Sequence, residues 1–251
     1  MVTQPSNNTY NLYFSGHFVF EAIIDALVAT ANLNAATEII LTGASAGGIG
    51  VWMNVDYLQM RFPNARIVAA PIAGFYFYAY PYQGINHTSS SLADFRPAAW
   101  PVTYALWNAY VDEDCAKDLA STPWACMLSN NSFPYITSES FAVEAQTDQV
   151  VLVDHDWVPQ DYVTLPPEQA YLTEWHNNMT IALSPLANLS NTKNGIFNPA
   201  CFIHTTFNNK QPLINNMNYY TAFGNWYYQR TAPNDYKLAD TCGIMCNPTC
   251  P

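Results

Sequence analysis

Residues 37–71 read TEIILTGASAGGIGVWMNVDYLQMRFPNARIVAAP, and the organisation of the chain can be worked outward from them. TEIILTG (37–43) is a short β-rich run ending in glycine, which predicts a buried strand. IGVWMNVDYLQMRF (49–62) carries its apolar residues at helical spacing, and PNARIVAAP (63–71) supplies a turn and a second strand. An amphipathic helix over residues 18–31, FVFEAIIDALVATA, precedes them. Helix, strand, turn, helix, strand with short connections is the pattern of a parallel sheet with helices on its faces, so the fold class is α/β.

The turn between the first strand and the second helix places Ser45 in the pattern G-x-S-x-G. A sharp strand-to-helix turn lifts such a serine above the sheet. It also sets the next backbone N–H, that of Ala46, where an oxyanion forms. Small residues at 43, 44, 46 and 47 are expected there because larger side chains collide with the adjoining strand and helix. The alternative is an ordinary turn in which Ser45 caps the following helix.

A serine hydroxyl needs a base to take its proton and a third group to orient that base. Hydrolases with this elbow run in the order serine, acid, histidine. His17 precedes Ser45, which leaves His87, His155, His176 and His204. His87 falls in a glycosylation sequon, His176 in a helical stretch, and His155 between Asp154 and Asp156 in what reads as a solvated acidic turn. His204 follows the apolar run GIFNPACFI and leads by position. For the acid, Asp148 directly follows the strand-like FAVEAQT; Asp154 and Asp156 are rivals, and Glu144 ranks lower because it lies within the strand.

The remaining chain reads as one domain over 1–251. Residues 75–138 form an irregular, aromatic-rich insertion or lid, with Cys115 and Cys126 placed to staple it. Further elements are a strand over 140–146, a helix starting just after Pro167, a strand-like run over 195–206 and a helix over 217–230. Half the residues are hydrophobic and only 11% are charged, which excludes a disordered chain. The net charge of −11, with eight scattered Lys and Arg, excludes nucleic acid as a partner. No apolar run is long enough to span a bilayer.

Six cysteines, with Cys242, Cys246 and Cys250 clustered in the tail, point to an oxidising, secretory setting. Five sequons, at Asn7, Asn86, Asn130, Asn178 and Asn188, point the same way. The C-x3-C-x3-C tail spacing has no adjacent histidine and suits disulfides better than zinc, so no metal is expected. Residues 1–16 do not read as a signal peptide, and the expectation is that the true N-terminus lies upstream.

GASAGGIGVWMNVD, FAVEAQTDQVVL, GIFNPACFIH and the tail TCGIMCNPTC together resemble the pectin acetylesterase family, which includes Notum. The tail and GNWYYQR resemble the plant members more. The resemblance implies an α/β-hydrolase that removes acyl groups from oxygen with no metal or cofactor. It implies Ser45 as nucleophile, His204 as base, Asp148 as acid, and Cys201 tied to a tail cysteine. It implies further oxyanion donors, and the first strands of the sheet, ahead of residue 1; the chain is then a truncated member. Ile72 stands where the family has an acidic residue. The expected function is ester hydrolysis by a secreted or cell-wall monomer, deacetylating a polysaccharide such as pectin. The alternatives are a Notum-like deacylase of an acylated protein and an inactive glycan-binding homologue.

Overall fold

A computed structural model describes residues 2–89, 92, 94–229 and 231–251. Met1, three residues of the insertion (Ser90, Ser91 and Ala93) and Arg230, at the expected end of the last helix, lie outside the described residues. The sheet holds β1 (Glu38–Ala44), β2 (Arg66–Ile72), β3 (Glu139–Val143), β5 (Gly195–Asn198) and β7 (Lys237–Ala239), side by side in that order. Every pairing is parallel. A second, two-stranded sheet pairs β4 (Thr147–Asp148) with β6 (Phe202–Ile203).

Helices cover both faces. On one side α1 (Gly16–Ala31), α2 (Ala46–Arg61) and α6 (Pro166–Ala187) pack over Ile67, Ala69, Ala142 and Ile196. On the other, α7 (Tyr219–Tyr227) packs over Val68, Phe141, Val143 and Phe197. Successive strand residues face opposite layers, so one apolar run feeds both cores. The buried stripe of α2, Val51, Val55 and Leu58, recurs at helical spacing. Each such side chain contributes roughly 1.5–3 kcal/mol relative to exposure.

Several expected elements differ. β1 is an edge strand, not a buried one: its residues alternate between exposed and half-buried, because only β2 pairs with it among the described residues. The strand expected over 140–146 stops at Val143, and the run over 195–206 divides into β5 and β6. The break has a cause, since Gln146 N–H turns to the Pro199 carbonyl and Thr147 Oγ1 to that of Cys201. Among the described residues of 75–138 are three short α-helices, α3 (Ala99–Trp107), α4 (Glu113–Asp118) and α5 (Ser129–Ser132). β7 has no counterpart in the sequence reading.

The six cysteines pair as Cys115–Cys126, Cys201–Cys250 and Cys242–Cys246. Asn7, Asn86, Asn178 and Asn188 are exposed. Asn130 is half-buried, with its Oδ1 buried, and the sequon's Ser132 is fully buried in α5. Among the described residues, no helix is long and apolar enough to cross a membrane.

Candidate active site

β1 ends at Ala44 and α2 begins at Ala46, so Ser45 makes the whole turn. Its φ of 58° is in the left-handed region, strained for a residue with a side chain. The strain is held from both sides. The Ser45 N–H donates to the Ile72 carbonyl at 2.8 Å, and its own carbonyl accepts the Gly48 N–H at 2.8 Å. A Cβ on Gly43 would stand 2.4 Å from the Gly47 oxygen, and one on Gly74 would stand 2.5 Å from the Gly48 backbone. Gly47 itself faces open space, so the crowding expected at 47 belongs to Gly48 instead.

The Ser45 hydroxyl does not cap α2. It lies 2.7 Å from Nε2 of His204, whose Nδ1 lies 2.7 Å from Oδ2 of Asp148. Because a carboxylate only accepts, Nδ1 carries the proton, and Nε2 is left to accept from Ser45. Asp148 is wholly buried, and its Oδ1 accepts the Val151 N–H at 3.0 Å.

The small second sheet sets this geometry. Asp148 pairs with Ile203, the residue before His204, and the Cys201–Cys250 bridge anchors the approach to β6. The Ala46 N–H is at the start of α2, where helix N–H groups lack internal acceptors. His87 is exposed and His176 half-buried, and neither lines the cavities beside Ser45 and Ala46.

His155 and Asp156 are not a solvated turn. His155 is 6% exposed and stacks on Phe95 at 3.7 Å, while Asp156 is 1% exposed and accepts the Trp175 indole N–H at 2.9 Å. Their turn folds back between the insertion and α6, which removes it from water. Burial, partly offset by Trp175, raises the Asp156 carboxyl to about 7. The folded state therefore holds this proton more tightly than the unfolded chain. The resulting stability is complete below about 3.8 and is lost as pH rises toward about 7. A shift of that size is on the order of 4 kcal/mol. Asp156→Asn keeps the acceptor for Trp175, so unfolding free energy measured from about pH 4 to 8 should flatten and exceed wild type at the alkaline end. Parallel curves for the two proteins would remove Asp156 as the cause.

Glu144, just past β3, is fully buried. Its Oε2 accepts the Phe75 N–H at 2.8 Å, Oε1 meets no donor, and the carboxyl group lies within hydrogen-bonding reach of Asp148. Burial first, and the Asp148 charge second, hold Glu144 well above the usual carboxylate range. Glu144 is the member of the pair that holds the proton. The sequence reading ranked Glu144 as a weak rival acid. An acidic residue inside an apolar strand was the available signal of a buried carboxyl group.

Beside Ser45 opens a cavity of about 400 Å³ walled by Ile49, Met53, Phe95, Trp100, Trp107 and Met127. A more open cleft of about 340 Å³ adjoins it at Ala46, bounded by His17, Asn54 and Tyr110. Among the described residues, no group of three or more His, Cys, Asp and Glu side chains is arranged to hold a metal ion.

The profile of the pectinacetylesterase family matches residues 2–251. The chain belongs to the pectinacetylesterase family. One family relative, pectin acetylesterase 5 of Arabidopsis thaliana, is 26% identical over 97% of this chain and 58% of its own length. Palmitoleoyl-protein carboxylesterase notum1' of Xenopus laevis is 22% identical over 98% of this chain and 53% of its own. The crystal structure of the Wnt deacylase Notum from Drosophila superposes with a TM-score of 0.79 at 21% identity, covering all of this chain and 70% of that one. The fold is therefore that of Notum, an α/β-hydrolase-like parallel sheet with helices on both sides. The chain spans little more than half the length of these two curated relatives.

Proposed function

We propose that this protein is a carboxylic-ester hydrolase with Ser45 as nucleophile, His204 as base and Asp148 as the group that orients it. The unbroken line of contacts from Asp148 through His204 to Ser45, 2.7 Å at each step, carries this reading. As Ser45 Oγ attacks the ester carbonyl, its proton passes to His204 Nε2, and Asp148 stabilises the imidazolium. The Ala46 N–H meets the charge on the tetrahedral oxygen. His204 then protonates the departing alkoxide; in the second half it takes a proton from the attacking water and returns one to Ser45 Oγ as the acid is released.

The cavity favours an acyl group larger than acetyl. Its walls are almost wholly apolar, and a bound acetyl group would leave most of it empty. This weights the substrate toward a longer acyl ester, as on an acylated protein. Polysaccharide deacetylation is the second reading. Beyond the family's own name, the open cleft supports it: the stacked His17–Tyr110 pair, 3.6 Å apart beside Asn54, offers a sugar ring an aromatic face and polar partners. Three disulfides support residence in an oxidising, extracellular compartment.

A series of p-nitrophenyl esters from acetate to decanoate tests the proposal. Each added methylene that enters the cavity should raise kcat/KM by about fourfold, from roughly 0.8 kcal/mol of apolar burial. Preference for acetate would select the deacetylase reading. Turnover of none of the esters would sink the hydrolase and leave a binding protein.

A further inference from the structure

Tyr76 is fixed from several sides although it belongs to no strand or helix. The N–H before it, that of Phe75, donates to Glu144, and its own carbonyl accepts the Asn130 N–H at 3.2 Å. Its ring packs on Phe95 at 5.4 Å, and only 5% of the residue is exposed. It lines the same cavity as Ser45 and Ala46, and its hydroxyl is close enough to interact with the Ser45 side chain. The Ser45 proton is committed to His204, so Oγ has lone pairs free to accept from a phenol.

We propose that the Tyr76 hydroxyl is a second oxyanion donor, acting beside the Ala46 N–H. The assignment rests on the esterase reading above. When Oγ bonds the carbonyl carbon, the π pair moves to the carbonyl oxygen. That oxygen and Oγ then share one carbon, so a donor close to Oγ lies close to the oxyanion. Tyr76 keeps its proton throughout; only the Ser45 proton moves, to His204. Burial first, and the nearby Asp148 carboxylate second, hold the phenol above its ordinary range, which keeps it a donor across the working pH. Because its ring and backbone are already clamped, the hydroxyl needs little reorganisation as charge develops.

Tyr76→Phe in the full chain removes one oxygen and keeps the ring. The expected result is a fall in kcat on the order of 10²–10³-fold with KM little changed. Tyr78→Phe, two residues along and outside the cavity lining, should keep wild-type kcat. An alkylboronic acid, which forms a tetrahedral adduct, should lose affinity for Tyr76→Phe in parallel with kcat. The matching alkyl carboxylate should bind as before. Should the variant be less stable, that comparison still decides: lost packing weakens both ligands, while a lost donor weakens the boronate alone. A Tyr76→Phe kcat within about threefold of wild type overturns the donor role alone, provided Ser45→Ala is inactive. Activity surviving in Ser45→Ala overturns the esterase reading and this one with it.

Discussion

Ser45→Ala is expected to lower kcat on a p-nitrophenyl ester by on the order of 10⁶-fold, and His204→Ala by a similar factor. The double variant should lose nothing further, because the two side chains act as one unit. Without Oγ there is no acceptor for the acyl group; without Nε2 the hydroxyl keeps its proton. The fold should be indifferent to the first change. Ser45 makes no side-chain cap to α2, and alanine carries the same backbone strain at a φ of 58°. The thermal midpoint therefore separates lost chemistry from lost structure. A well-folded Ser45→Ala that kept about one per cent of wild-type turnover would remove Ser45 from its role.

The elbow was legible in the sequence because its causes are local. A strand run, a string of small residues and a helical run state the turn within residues 37–62, and backbone sterics do the rest. His204 and Asp148 were readable as the ends of apolar runs in the right order. The pairing of β4 with β6, which brings them together, was not readable. Two residues per strand leave no periodicity, and their partners lie more than fifty residues apart. Charge misled at Asp156, where acidity suggested solvent and the fold supplied an indole N–H. Gly48 escaped notice for a related reason: its crowding comes from Gly74, which no pattern around the serine reveals.

Buried neighbours also fix the acid in place. Among the described residues, the one ion-pair partner of Asp148 is His204. Two N–H groups hold it, from Val151 and His204, and Glu144 carries the pair's proton. The oxygen that faces His204 is thus held in a buried site, where its attraction for an imidazolium is stronger than in water.

Asp148→Asn should therefore cost about 10⁴-fold in kcat while leaving the fold in place. The amide must choose an orientation. The Val151 N–H is a fixed donor at 3.0 Å, so the amide oxygen is drawn to it and the NH2 group turns to His204 Nδ1. Nδ1 must then accept, and the imidazole proton moves to Nε2. There it points at Ser45 Oγ and leaves no lone pair to take the serine proton. Side-chain volume is nearly unchanged and a buried charge is lost, so the thermal midpoint should hold or rise. Kinetics at neutral pH beside a melting curve are sufficient. A variant within about tenfold of wild type would show that His204 keeps its working tautomer without the Asp148 charge.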